Sequence, residues 1–110
     1  MQSKPDVAAR KHCLSMAEVR SEIDTLDRAI VALLADRLHY IDEAARLKQH
    51  RRQVRDEARI ADVLGKVEAE ARQLGANAGV LVQTYRTLIE QSIAHESRAF
   101  DRKSRSELSR

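Results

Sequence analysis

The sequence predicts an all-α fold, and three observations support this. Apolar residues recur at steps of three and four through most of the chain after residue 17. Aromatic residues make up only 3% of the 110 residues, and the chain has one proline and three glycines. A β-rich fold needs aromatic and β-branched clusters with frequent turn residues, so this composition argues against one. The length suits a single domain.

The first predicted helix is long and runs from about residue 16 to Lys48 without a glycine or a proline. Ser15 is a candidate N-cap, with Glu18 as its partner in a capping box. The apolar stripe of this helix comprises Val19, Ile23, Leu26, Ile30, Leu33, Tyr40, Ala44 and Leu47. Thirty residues of helix span about 45 Å, which is too long for a monomer of this size to cover. We therefore expect a partner chain, and hence a homodimer.

Two further helices are predicted after the polar connection at residues 50–56. The second is short and ends at Gly75, the residue type that most often terminates a helix. The third is of medium length, and its stripe comprises Leu81, Tyr85, Leu88, Ile89, Ser92, Ile93 and, at its far end, Phe100. The expected organisation is a flexible segment at residues 1–15, a helical domain at 16–101 and a basic tail at 102–110.

The charge distribution argues against several classes of protein. The net charge is +3, and the basic runs lie at the two ends of the chain. Such runs are usually solvated, and stacking aromatics or a docking motif for nucleic acid are lacking. The single cysteine, Cys13, supports no disulfide framework. Because we find neither a secretory signal nor a membrane-spanning run, we expect a cytoplasmic protein.

Polar residues interrupt the apolar stripes. Arg37 stands where the first stripe demands a hydrophobic residue, and Lys48 follows eleven residues later. That spacing places the two cations within about 20° of each other around the helix and about 16.5 Å apart along it. Ser92 and Glu96 occupy the stripe of the third helix, and Arg59 opens the second helix close to its stripe.

Two interpretations of these polar residues remain open at this point. Buried charges are unfavourable unless they are paired, so Glu96 is expected to pair with Arg37 or Lys48 in a buried salt bridge. Alternatively, the excess of cations over one carboxylate predicts a site for an anionic ligand, preferably one with carboxylates. The pattern alone favours neither interpretation.

Other kinds of chemistry have little support. The four histidines show no metal-ligand spacing. Ser92 has no base placed near it by the sequence, and no glycine-rich phosphate loop is present. We therefore expect no metal site.

Taken together, these residues resemble the all-α chorismate mutases and the closely similar isochorismate-pyruvate lyases. The resemblance covers about residues 17–100 and rests on a series of motifs in a fixed order. These are VRSEIDTLD with Arg20, ALLADR with Arg37, then Lys48, VRDEARIADVL with Arg59, and SIAHE with Ser92 and Glu96.

The resemblance implies an intertwined homodimer of three-helix chains with two composite sites, in which Arg20 enters the partner's pocket. It implies the rearrangement of chorismate, a dicarboxylate enol ether, to prephenate, within the shikimate pathway and aromatic amino acid biosynthesis. Because this reaction is pericyclic, it requires no nucleophile, metal or cofactor; the enzyme selects the reactive conformer and stabilises developing charge.

The resemblance also implies a role for each site residue. Arg20 from the partner, together with Arg37 and Arg59, would hold the carboxylates. Lys48 and Glu96 would donate hydrogen bonds to the ether oxygen, and Ser92 belongs to the same pocket. Asp56 is a candidate for contact with the ring hydroxyl.

One departure from the family's pattern concerns the substrate. Typical mutases carry a glutamate for the ring hydroxyl where this chain has Ile60, and the connection before it is one residue shorter here. Both features are more typical of the lyase branch, which forms salicylate and pyruvate from isochorismate. We predict a chorismate mutase, because prephenate formation is the common activity of this fold, with the lyase as the alternative.

Two further functions have weaker support. One is that of a variant enzyme that acts on an amino analogue of chorismate. The other is that of a non-catalytic helical dimerisation or nucleic-acid-binding module, which predicts salt-sensitive binding of nucleic acid.

A second departure leads to a prediction about pH. Many family members have a glutamine where this chain has Glu96, and an ionised carboxylate cannot donate a hydrogen bond. Glu96 must therefore hold a proton to assist the ether oxygen. We expect activity to fall as rising pH removes this proton, and the Glu96→Gln variant to give a flatter profile. Rates measured from about pH 5 to about pH 8 test this, and a constant wild-type rate would contradict it.

Overall fold

A computed structural model describes residues 10–108 of the chain. It contains α1 (Met16–Leu47), a single 3-10 turn (Arg51–Gln53), α2 (Glu57–Gln73) and α3 (Ala78–Leu108). These described residues contain no strand, so the all-α prediction is confirmed. Residues 1–9 and 109–110, which belong to the predicted N-terminal segment and basic tail, lie outside the description. Between residues 10 and 108, no helix combines the length and hydrophobicity needed to cross a bilayer.

The chain divides into two units between His39 and Tyr40, within α1. In the first unit, the start of α1 is capped much as predicted. The Ser15 hydroxyl accepts a hydrogen bond from the Glu18 main-chain N–H at 3.2 Å. The Glu18 carboxylate accepts from the N–H of Leu14 at 3.0 Å, one residue further back than a capping box requires. Ser15 is thus confirmed as the N-cap.

The apolar stripe of α1 remains open to solvent in the first unit. Ile23 and Leu33 are each 49% exposed, Leu26 is 44% exposed and Ile30 is 50% exposed. These residues follow the predicted steps of three and four along one face of the helix. The single chain therefore leaves a continuous apolar face about half exposed.

The second unit holds the buried core of the described chain. α2 packs along α3, and the 3-10 turn also contacts α3. Ala45 at the end of α1, Val54 and Phe100 form one buried cluster, against which Ile93 and Ala99 pack. Val54 is 6% exposed, so the polar connection contributes a core residue. A lone apolar residue among polar neighbours shows no periodicity, which is why the sequence did not predict this.

Both ends of α2 have well-defined caps. The Asp56 carboxylate accepts from the N–H of Arg59 at 3.0 Å. At the other end Gly75 has a φ of 68°, in the left-handed region. The N–H of Ala76 donates to the carbonyl of Ala71 at 2.9 Å, and the N–H of Gly75 donates to that of Arg72 at 3.1 Å. This is a Schellman motif, and it confirms the predicted role of Gly75.

The third helix is longer than predicted. Asn77 caps its start by accepting from the N–H of Val80 at 3.2 Å. The helix then continues for 31 residues and takes in residues 102–108 of the predicted basic tail. No glycine or proline follows Gly79, and the tail residues include strong helix formers, so nothing local ends the helix earlier.

Substitution by alanine is expected to have opposite effects on stability at Gly65, inside α2, and at Gly75, in its C-terminal cap. A Cβ would meet no atom within 4 Å at either Gly65 or Gly75. Only Gly75 has a positive φ, so Gly75→Ala is expected to destabilise the fold by about 1 kcal/mol. Gly65 lies inside the helix, so Gly65→Ala is expected to stabilise it by about 0.5–1 kcal/mol. Urea unfolding at one fixed protein concentration measures both, and shifts of equal sign would contradict the assignment.

Candidate active site

Lys48 and Glu96 form a close pair in the second unit. The Lys48 Nζ lies 2.6 Å from the Glu96 Oε2. The Glu96 side chain is only 6% exposed, and that of Lys48 is 26% exposed. One of the two pairings that the sequence left open for Glu96 is therefore present. In this arrangement a partly exposed lysine side chain lies beside a buried carboxyl group.

The polypeptide around Lys48 is held at several points. Its own N–H donates to the carbonyl of Ala44 at 3.0 Å, which completes the last turn of α1. After Lys48 the chain turns, and the Gln53 side-chain oxygen accepts from the N–H groups of Gln49 and His50 at 2.9 Å each. These bonds replace helical ones that the chain loses where α1 ends.

Glu96 belongs to a buried face of α3. Ser92, one turn earlier, is 4% exposed, and its hydroxyl donates to the carbonyl of Leu88 at 2.7 Å. Phe100, one turn later, is 7% exposed. In the part of the chain that the structure describes, every buried side-chain nitrogen and oxygen has a hydrogen-bond partner. The polar residues predicted in the α3 stripe are therefore buried and satisfied.

Asp56 and Arg59 lie at the start of α2. The Asp56 carboxylate serves as the helix cap described above. The Arg59 side chain is 63% exposed, and its Nη1 lies 2.6 Å from Asp62 Oδ2. Hydrogen bonds from Lys66 and Arg59 lower the pKa of Asp62. In the single chain Arg59 is therefore exposed and pairs with Asp62, one turn along α2.

Arg20 and Arg37 both lie on α1 in the first unit. Arg20 is exposed, whereas Arg37 is half-buried. Seventeen residues of continuous helix separate them by about 25 Å along the axis. A single chain therefore cannot bring both guanidinium groups to one small ligand.

Lys103 contacts the same region and was not predicted as a site residue. Its Nζ donates to the carbonyls of Ala45 at 3.0 Å, Arg46 at 3.2 Å and Lys48 at 2.6 Å. The basic tail predicted from the sequence includes Lys103. Its spacing could have placed it on the buried face of α3, since Glu96, Phe100 and Lys103 continue the steps of four and three along this helix.

Exposed side-chain contacts connect other parts of the second unit. His95 precedes Glu96 in the sequence, and its Nε2 lies 2.7 Å from Asp42 Oδ1. Arg55 donates to both carboxylate oxygens of Glu90, at 3.0 Å and 2.9 Å. Hydrogen bonding to Arg55 lowers the pKa of Glu90. These contacts join the end of α1 and the start of α2 to α3.

The Lys48–Glu96 pair predicts unequal effects of removing its two members. Lys48→Met leaves a carboxylate that is 6% exposed without its cation, and should destabilise the fold by about 2–3 kcal/mol. Glu96→Gln keeps an acceptor beside the partly exposed Lys48 side chain, so a loss of about 1 kcal/mol is expected. A double-mutant cycle by urea unfolding should give a coupling of about 1–2 kcal/mol, and additive effects would show that the contact contributes no stability.

Comparison with known proteins identifies the family. Residues 19–97 match the family described as chorismate mutase type II. All the predicted site residues, from Arg20 to Glu96, lie within that range. The chain is also similar to the T-protein of Haemophilus influenzae, with 30% identity over 84 residues. The match covers 76% of this chain but only 22% of the T-protein, so the chain spans about a fifth of that relative. The enzyme family that the sequence predicted is thus confirmed, and this chain belongs to the type II chorismate mutases.

Proposed function

We propose that this protein catalyses the rearrangement of chorismate to prephenate. The observation that carries the proposal is the contact of Lys48 with the buried Glu96, with 2.6 Å between Nζ and Oε2, inside the range that matches the family. The proposal includes a role in aromatic amino acid biosynthesis and, with it, a cytoplasmic location.

The chemistry of the pair suits a pericyclic reaction. In the rearrangement the ether C–O bond breaks while a C–C bond forms, so no group is transferred to the protein. Negative charge develops on the ether oxygen, and the Lys48 ammonium would stabilise it by a charge-assisted hydrogen bond. Glu96 would donate a second hydrogen bond in its protonated form. In the free protein the two groups lie 2.6 Å apart, so the ammonium and the carboxyl group are already next to each other.

The substrate carboxylates require further cations. Arg37 and Arg59 of the same chain and the partner subunit's Arg20 are the proposed ligands. The exposed ion pair of Arg59 with Asp62 does not oppose this role, because exposed pairs contribute about 0–1 kcal/mol and exchange readily. Ser92 completes the buried polar face beside Glu96 in this proposal.

A homodimer is part of the proposal. The apolar stripe of α1 is about half exposed in the single chain, from Ile23 to Leu33. A second copy would cover it with the same face, as two-fold interfaces do. Such a dimer would also place Arg20 in the site of the other chain, which the distance between Arg20 and Arg37 along α1 requires.

The second candidate function is that of an isochorismate-pyruvate lyase. Ile60 favours it, since this half-buried apolar side chain at the start of α2 cannot bind a ring hydroxyl. Asp56 is a weak substitute, because its carboxylate already caps α2 through Arg59. The lyase would use the same cations but would release pyruvate from its substrate instead of rearranging the substrate.

Product analysis decides between these functions. Purified protein is supplied with chorismate and, separately, with isochorismate, and the products are separated by chromatography. We expect prephenate from chorismate, with a rate reduced about 100-fold or more in Lys48→Ala. Salicylate and pyruvate from isochorismate at the higher kcat/KM would establish the lyase. Turnover of neither substrate, together with salt-sensitive binding of nucleic acid, would favour the non-catalytic module.

Mixing inactive variants tests the shared site. Arg20→Ala and Lys48→Ala chains, coexpressed in equal amounts, should form mixed dimers with one intact site each. Random pairing then restores about a quarter of the wild-type activity. The matched control is a mixture of Arg37→Ala and Lys48→Ala chains. In the proposed dimer each site takes Arg37 and Lys48 from the same chain, so every site in this mixture is defective. Equal recovery in both mixtures, or none in the first, would contradict the supply of Arg20 by the partner.

A further inference from the structure

The end of α1 depends on a lysine that lies outside the family match. Lys103 follows the matched range 19–97 and belongs to the last turns of α3. Its Nζ donates to the carbonyls of Ala45, Arg46 and Lys48 at 3.0, 3.2 and 2.6 Å. An ammonium group has three donors, so these contacts use all of them. A cation at this place also complements the negative end of the α1 dipole.

The surroundings of Lys103 restrict its movement. Its Nζ lies 4.6 Å from the centroid of the Phe100 ring. Phe100 is 7% exposed and packs in the cluster with Ala45 and Val54. The lysine stem is thus anchored next to the core of the second unit, and its head group is anchored by the main chain of α1.

Lys48 is linked to α3 at two points. Its main-chain carbonyl accepts the shortest of the Lys103 hydrogen bonds, at 2.6 Å, and its Nζ contacts Glu96 at 2.6 Å. Lys48 comes directly after the last residue of α1, where main-chain carbonyls lack helical partners and helices fray. Lys103 supplies the partners that the helix itself cannot.

We propose that Lys103 is a positioning residue for Lys48. It holds the main chain from which the Lys48 side chain extends, so that the ammonium stays directed at Glu96 and, in the enzyme proposed above, at the ether oxygen. Lys103 itself does not touch the substrate. This inference rests on the proposed function for its kinetic consequences, whereas the placement of Lys48 is testable without any substrate.

The kinetic test compares Lys103→Met with Lys103→Arg and with the control Arg102→Met. Methionine keeps the length of the side chain but removes its donors, whereas arginine keeps charge and donors. Arg102→Met removes a charge from the exposed neighbouring position. We expect kcat in Lys103→Met to fall about 10- to 100-fold with KM changed less than about threefold, partial recovery in Lys103→Arg, and no change in Arg102→Met.

A second background separates positioning from general stability. In Lys48→Met protein there is no ammonium left to position, so adding Lys103→Met should not lower the residual kcat further. A merely structural Lys103 would lower kcat by the same factor in both backgrounds, and that result would overturn the inference. If Lys103→Met does not fold, Lys103→Gln retains one donating amide and takes its place.

A substrate-independent measurement accompanies the kinetics. Acetic anhydride labels accessible lysines, and mass spectrometry gives the labelling rate of each one. The Lys48 rate should rise several-fold in Lys103→Met and stay unchanged in Arg102→Met, and an unchanged rate in both would overturn the inference. If the wild-type protein converts neither substrate, the proposed function fails, and the labelling of Lys48 alone decides the positioning role.

Discussion

The burial of the Glu96 carboxylate governs how the second unit is arranged. A carboxylate that is 6% exposed requires a cation or a set of donors, because water no longer solvates it. Lys48 meets this requirement from the other end of the unit, 48 residues away in the sequence. The pair can form only if the end of α1 lies against the middle of α3, so the packing of Ala45, Val54 and Phe100 and the placement of the pair depend on each other.

The main chain between α1 and α2 is held in a way that supports the position of Lys48 beside Glu96. Gln53 holds the turn after Lys48, and the exposed Arg55 connects the start of α2 to Glu90 on α3. Lys103 donates hydrogen bonds to the main-chain carbonyls at the end of α1. A short, polar connection without a regular apolar pattern is therefore fixed by side chains on both sides. Such support matters in a site whose proposed catalysis consists of orientation and electrostatics, since neither tolerates a mobile ammonium.

The first unit presents a different situation. Its helix has the apolar spacing of a packed element, yet the single chain leaves residues such as Ile30 half exposed. In the proposed dimer, burial of that face would stabilise the association of the two chains. In the proposed dimer the same association completes the site with Arg20, so folding, assembly and substrate binding would share one surface.

The local features of this protein follow from the order of its amino acids, whereas the pairing of distant residues does not. The helix start at Ser15, the stop at Gly75 and the apolar stripes were predictable, because caps, glycine and periodicity act over a few residues. Arg37 and Glu96 were recognisable as polar residues on apolar faces, because a break in a regular pattern is visible without a structure. The partners were set by the folded chain, which joined Glu96 to Lys48 and brought Lys103 to the end of α1. Periodicity tells which face of a helix is apolar, but it does not specify the register at which two faces meet, and that register sets the partners of a buried charge.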